Sequence, residues 1–334
     1  MCREADEREV ALAAGRLREG RLVAFPTETV YGLAADALNP QAIARVFLAK
    51  GRPANNPLIV HVEDAAAARR VTAAWPKIAD SLAHRFWPGP LTIVLPRHPA
   101  VPDAVTAGGP TVAVRVPDHP VATALLRAFG GPLVAPSANP SGYVSPTRAE
   151  HVREHFDEEE VLTLDGGPCP AGIESTVVDV MGETITILRP GVITATELED
   201  AHPVAPRTTI SCAKDTPTRP RSPGMLNAHY QPHASVVLAS TLTEVDALLN
   251  ASANTHPGAP TVIIAPPGTP LAVEPPNHAI PMPADARAYA AELYAALREA
   301  DALSPASIII AVPASETGVW EAIHNRLRRA AAPA

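Results

Sequence analysis

Several things are scarce in this sequence, and each scarcity narrows what the chain can be. Aromatic residues make up 4 % of its 334 positions, so aliphatic side chains have to build the core; at 46 % hydrophobic residues there are enough of them for a sizeable one. Lysine occurs only at Lys50, Lys77 and Lys214, and 27 Lys and Arg face 35 Asp and Glu, a formal net charge of -8. A chain whose whole surface grips nucleic acid is usually basic, so phosphate or RNA contact is confined to a local groove on an acidic body. Cys2, Cys169 and Cys212 share no metal-ligand spacing, and an odd, sparse count fits a reducing compartment. No stretch is long and apolar enough to span a bilayer. Met1 to Glu7 carries acids where a secretion signal needs an apolar core. The expectation is a cytoplasmic protein with no membrane partner. Walker and G-x-G-x-x-G motifs are both missing, so a nucleotide site would have to be of another kind.

What is present reads as two α/β regions around a proline-rich segment; at about 150 residues per domain, the length itself suggests two. Helical patterns run over Glu7 to Glu19, Pro40 to Leu48, Asp64 to Val71, Lys77 to Phe86, Pro120 to Phe129 and Arg148 to Phe156. Apolar strand patterns run over Leu22 to Phe25, Leu58 to Val62, Leu91 to Leu95, Thr111 to Val116, Leu133 to Ala135, Val161 to Leu164, Ser175 to Val180 and Thr184 to Leu188. Alternation without a strict rhythm predicts an open, twisted mixed sheet with helices over residues 7–202. From Pro203 to Pro232 six prolines and little apolar periodicity predict an extended linker, 203–233. Beyond it, strands at Ser235 to Leu238, Thr261 to Ala265 and Ser307 to Val312 alternate with helices at Thr243 to Leu249, Asp285 to Ala302 and around Trp320. That rhythm predicts a small Rossmann-like parallel-sheet domain over 234–334.

Four segments could carry chemistry. Pro26-Thr27-Glu28-Thr29-Val30-Tyr31-Gly32 follows a strand and offers hydroxyls and a carboxylate to a small polar ligand, or simply caps a turn. Lys50-Gly51-Arg52-Pro53, leading to Asn55-Asn56-Pro57 and His61, sets two cations in a rigid loop suited to a polyphosphate, although a cation at a helix C-terminus also explains Lys50. Ala135-Pro136-Ser137-Ala138-Asn139-Pro140-Ser141-Gly142, with Ser145-Pro146-Thr147, has the small residues that let backbone approach a phosphate, and reads equally as a Ser/Pro turn. Gly172-Ile173-Glu174-Ser175-Thr176 lies near Arg189-Pro190-Gly191. Arg115 and Arg189, both on apolar strands, want a carboxylate or phosphate partner, within the chain or outside it. His151-Val152-Arg153-Glu154-His155 matches the inverted zinc-protease signature, but its charges alternate as on a solvated helix face. His229 and His233 are also four apart, with Pro232 between them disfavouring a helix.

Taken in order, these segments resemble the YrdC-like family of L-threonylcarbamoyladenylate synthases. Ser222-Pro223-Gly224-Met225 and His229-Tyr230-Gln231-Pro232 resemble the hinge of its longer, two-domain branch. The resemblance covers roughly residues 7 to 235. It implies an ATP-dependent nucleotidyltransferase that takes L-threonine, bicarbonate and ATP with Mg2+, makes threonylcarbamoyl-AMP and releases pyrophosphate. Other proteins would then transfer the threonylcarbamoyl group to tRNA. By residue, it implies Lys50 and Arg52 as the catalytic cations. It implies Thr29, His61, Arg115, the backbone of Ala135 and Ser175 around L-threonine. Arg52, Asn56, Thr111, Ser137, Ser145 and Arg189 would surround ATP, with Tyr230 as part of a lid; it implies no protein-bound metal. The sequence departs from the family at Ala34, where glycine is frequent, so a turn needing positive φ there would have to differ. It departs again at Leu226-Asn227-Ala228, where basic residues are usual, which weakens an expectation of phosphate or tRNA contact in the linker. A non-catalytic RNA- or ribosome-binding module is the alternative, with weak RNA contact left open. A carbamoyl-transferring relative from metal-centre maturation is disfavoured by the absence of cysteine-rich modules.

Overall fold

The computed structural model describes residues 6–181, 184–201, 209–210, 229–267, 269 and 273–333. The chain divides into two units, Met1–Ser141 with Ser145–Met225, and Gly142–Val144 with Leu226–Ala334. The three-residue insertion of Gly142–Val144 into the second unit has no counterpart in the sequence reading.

The first unit is built on a ten-stranded mixed sheet. Its strands are β1 (Leu22–Phe25), β2 (Gly32–Asp36), β3 (Ile59–His61), β4 (Leu91–Pro96), β5 (Thr111–Arg115), β6 (Leu133–Val134), β7 (Val161–Thr163), β8 (Thr176–Asp179), β9 (Thr186–Arg189) and β10 (Thr209–Ile210). They lie in the order β10-β9-β8-β4-β5-β3-β6-β2-β1-β7. Side chains alternate between two cores: Leu22, Ala24, Leu33 and Ala35 join one cluster, while Val23, Phe25 and Ala34 join another. A sheet covered on both faces explains why its strands read as unbroken apolar runs. Helix Glu7–Arg18, capped by Asp6, and helix Pro120–Phe129 pack on the second face. Ala34 sits inside β2 paired with Val23, so this position carries no turn and needs no positive φ.

A helix cap fixes where one of the candidate loops begins. Asn39 accepts from the N–H groups of Gln41 and Ala42, Pro40 starts the helix, and Gly51 at φ 59° ends it, so Lys50 is the last helical residue. His119 caps the helix at Pro120 through its Nδ1, and Gly130 ends that helix at φ 78°.

The second unit holds four parallel strands, β11 (Ser235–Ala239), β12 (Thr261–Ala265), β13 (His278–Pro281) and β14 (Ser307–Ala311), in the order β11-β14-β12-β13. Helices Leu242–Thr255, Ala286–Ala302 and Val319–Ala330 belong to it. Ala239, Val245, Ile263, Ala265 and Ile309 form one apolar cluster. Most of the expected linker lies outside the described residues. Its one described pair, Thr209–Ile210, forms a parallel strand beside β9. The hinge residues Ser222 to Met225 and the departure at Leu226 to Ala228 also lie outside the described residues. Among the described residues no helix is long and apolar enough to cross a membrane.

Candidate active site

The pairing of β3 with β5 sets His61 opposite Arg115. Over these strand ends folds the loop after β1. Thr27 turns that loop by accepting from the N–H groups of Thr29 and Val30 and donating to the Val30 carbonyl. Thr29 is fully buried, and its hydroxyl lies 2.8 Å from that of Thr27 and 2.9 Å from Arg115 Nη1. Arg115 Nε donates to the Gly89 carbonyl at 3.3 Å, and its Nη2 stands 2.6 Å from Glu28 Oε1. A guanidinium has five N–H groups. Nε and Nη1 hydrogen-bond to the protein, while Nη2 faces Glu28 as an ion pair without a hydrogen bond, so donors remain for a ligand carboxylate.

His61 is buried with no hydrogen-bond partner at Nδ1. Burial, with the Arg115 charge beside it, pushes its pKa down to about 3, so the ring is neutral near pH 7. Ser175 stands just before β8; its hydroxyl pairs with Thr92 at 2.7 Å and accepts from Arg189 Nη2 at 3.0 Å. Arg189 also places Nε and Nη2 on the Ser175 carbonyl, at 3.1 and 3.0 Å. Ala135, buried, binds the Ile59 carbonyl through its N–H. Gly191 follows Arg189 at a point where any side chain would strike backbone, since a Cβ there would lie 2.4 Å from the Thr176 nitrogen. This close approach gives the Arg-Pro-Gly turn its glycine.

The segment around Ser137 is organised differently, mainly through backbone. Leu33 donates to Pro136, Ala138 to Tyr31 and Tyr31 to Pro146, so the loop is stitched to the start of β2. Lys50, almost fully buried, donates its ammonium to the carbonyls of Ser137 and Asn139. Burial, then the charge of Arg52, pushes its pKa well below the ordinary lysine value. Arg52 binds the carbonyls of Asn56 and Pro57 at 3.1 and 2.7 Å. Asn56 is buried with Nδ2 unpartnered, a donor suited to an anion. Ser145, fully buried, donates to Glu174 Oε1 at 2.7 Å. Thr111, half-buried, opens β5 opposite Pro96.

Hydrogen bonds thus join Thr29 to Arg115, Ser175 to Arg189, and Lys50 to the Ser137 loop. Tyr230 belongs to the second unit, where it stacks on Tyr294 at 5.4 Å with the Arg326 guanidinium 5.4 Å from its ring. The sequence offers the Glu28 carboxylate only to a ligand, and neither its pairing with Arg115 nor that of Glu174 with Ser145 is foreseen there. The histidines of the protease-like signature do not share a helix: it spans Ala149–Arg153, and His155 lies beyond its cap at Glu154. Among the described residues no three His, Cys, Asp or Glu side chains converge as a metal site.

Comparison with known proteins gives these segments their context. The Sua5_yciO_yrdC family, described as "Telomere recombination", matches residues 16–191, and the family described as "Threonylcarbamoyl-AMP synthase, C-terminal domain" matches residues 193–332. The chain is 41 % identical over 327 residues to a threonylcarbamoyl-AMP synthase from Bacillus subtilis, covering 97 % of this chain and 93 % of that one. It is 45 % identical over 239 residues to one from Pyrococcus abyssi, covering 70 % and 68 % of the two chains. The crystal structure of P. abyssi Sua5 complexed with L-threonine superposes with a TM-score of 0.88 at 38 % identity, over 98 % of this chain and 95 % of that one.

Proposed function

The chain belongs to the Sua5/YciO/YrdC family, in the branch that carries the threonylcarbamoyl-AMP synthase C-terminal domain, and from that premise we propose how it makes threonylcarbamoyl-AMP for tRNA modification. L-threonine and ATP are its substrates. The observation that carries the assignment is full-length similarity to threonylcarbamoyl-AMP synthases, joined to a buried arginine with N–H donors to spare beside a neutral histidine.

In this reading Arg115 takes the threonine carboxylate in a paired, charge-assisted contact, while Thr29, His61, Ser175 and the Ala135 backbone surround the rest of the amino acid. Once the threonine ammonium has given up a proton to solvent, its nitrogen forms a bond to the bicarbonate carbon, a C–O bond of bicarbonate breaks, and water leaves. The resulting carbamate oxygen attacks the α-phosphorus of ATP, a new P–O bond forms, and the bond to pyrophosphate breaks. No covalent enzyme intermediate is needed, so catalysis consists of positioning and charge stabilisation. Arg52, Asn56 Nδ2 and Arg189 face the charge of the nucleotide. Lys50 acts through the loop whose carbonyls it holds, setting Ser137 against the phosphates, and Ser145 and Thr111 complete the ATP contacts.

Magnesium enters as part of the MgATP substrate. Magnesium keeps several waters and commonly takes one or two carboxylates besides substrate phosphates. The side chains here, mostly cationic and neutral with Glu174 hydrogen-bonded to Ser145, fit an ion carried on phosphates. Downstream proteins that move the threonylcarbamoyl group onto tRNA are its functional partners.

The test is pyrophosphate release from ATP with threonine and bicarbonate omitted in turn. Release should require both; release independent of threonine would overturn the reading. Steeply salt-dependent RNA binding without pyrophosphate release would point instead to an RNA-binding module.

A further inference from the structure

Arg115 already has a carboxylate. Glu28 lies one residue before Thr29, is nine-tenths buried, and sets Oε1 2.6 Å from Arg115 Nη2. Its other oxygen is committed, accepting from the Asp118 N–H at 3.0 Å. Its backbone carbonyl is fixed too, accepting from the Ala171 N–H. Glu28 Oε1 has no hydrogen-bond partner, so it keeps acceptor capacity in a buried place.

Glu28 is not needed to orient the guanidinium. Two neutral contacts, the Thr29 hydroxyl at 2.9 Å and the Gly89 carbonyl at 3.3 Å, already fix its plane. What Glu28 adds is charge. The other ionisable groups around the pair are His61 beside Arg115, and Asp118, exposed, with His119 on the stretch leading into the helix at Pro120. With His61 neutral, Arg115 and Glu28 are a buried pair of opposite charges side by side, and the Asp118 carboxylate lies exposed outside it.

We propose that Glu28 is a specificity-determining residue which, paired with Arg115, makes the pocket select an amino acid as a zwitterion. This rests on the assignment of Arg115 to the substrate carboxylate. A simple hydroxy acid brings only a carboxylate, and Glu28 repels it. An amino acid brings an ammonium group beside the carboxylate, and Glu28 attracts that group through its unpartnered oxygen. The pair is the charge complement of the ammonium–carboxylate pair, and discrimination comes from repulsion of the wrong ligand as much as attraction of the right one.

The test is calorimetric binding of L-threonine and (R)-3-hydroxybutyrate, its counterpart without the amino group, to the full chain and to Glu28→Gln. The wild type should prefer L-threonine by about tenfold or more, the size of one charge-assisted contact. In Glu28→Gln the hydroxy acid should bind more tightly and L-threonine more weakly, so that the preference falls by about tenfold. A merely structural role would weaken both ligands together and leave the ratio unchanged; an unchanged ratio overturns the proposal. So does tighter binding of both ligands in equal measure, which would make Glu28 only a competitor for Arg115. Should Glu28→Gln not fold, the wild type alone decides, because equal affinity for the two ligands overturns the proposal. A wild type that releases pyrophosphate with threonine yet fails these tests refutes the role of Glu28 and leaves the synthase assignment standing. A wild type that binds neither ligand refutes both.

Discussion

The two walls of the site are built by opposite means. Around Arg115, side chains meet side chains: Thr27, Thr29, Glu28 and Arg115 form one buried polar knot whose charges cancel locally. Around Ser137, a side chain meets backbone: the Lys50 ammonium is spent on two carbonyls, and the loop is tied to β2 by main-chain bonds. The first arrangement suits recognition of one small molecule by its functional groups. The second suits a polyphosphate, where backbone approach and fixed positive charge matter more than side-chain identity. A further difference lies in charge balance. The Arg115 wall holds a matched ion pair, whereas Lys50 is buried against neutral oxygens with Arg52 nearby, and its pKa falls accordingly. An anionic ligand there would supply what Glu28 supplies to Arg115.

The largest effect expected from this contrast follows loss of the guanidinium. Arg115→Met would strand Glu28 as a buried charge without its partner, which typically costs about 3–5 kcal/mol. Urea unfolding should show a loss of that size, and Arg115→Met with Glu28→Gln should recover much of it. A single variant that loses less than about 1 kcal/mol would mean that the pair is screened like a surface one and that the knot is not closed.

How far each wall was legible in the sequence follows the same division. The strand at Leu22–Phe25 and the helices at Lys77–Phe86 and Pro120–Phe129 agree to the residue with what the sequence predicts, because Pro120, Gly130 and the apolar period mark their limits locally. β2 was not legible: Gly-Leu-Ala-Ala-Asp has no β-branched residue and is held as a strand by pairing with β1 and β6. β13 escaped for a related reason, being an edge strand with three of its four residues exposed. Helix Ala149–Arg153 is shorter than the alternating charges from Arg148 to Phe156 suggested, since the chain leaves the helix at Glu154. The threonines and arginines of the site were visible in their segments. The meeting of Glu28 with Arg115 is set by the register of β3 and β5 and by the loop above them, which no local pattern records.

The second expected effect concerns Lys50. Lys50→Met would leave the carbonyls of Ser137 and Asn139 without their donor, a cost of about 1–3 kcal/mol for a buried polar group left unmade. If the two walls are separate, the KM for ATP should rise by about tenfold while the affinity for L-threonine stays within about twofold. Equal loss of both affinities would show that the Ser137 loop also shapes the amino-acid wall, and the contrast would have to be redrawn.

The smallest effect per unit of condition is a slope with pH, and its sign can be worked out. His61 is neutral when folded and resists protonation down to a pKa of about 3, whereas an unfolded histidine takes up its proton near its ordinary value of about 6.5. Between these values the unfolded state binds more protons, so stability rises with pH through the window and is lost as pH falls from about 6.5 towards 3. One such group gives a slope of up to about 1.4 kcal/mol per pH unit. His61→Gln should flatten the stability curve by that amount within the window and leave its slope unchanged above about pH 7. An unaltered slope in the variant would mean that His61 accepts a proton in the folded chain. The Arg115 wall would then carry a second positive charge at acid pH, and Glu28 would balance two cations instead of one.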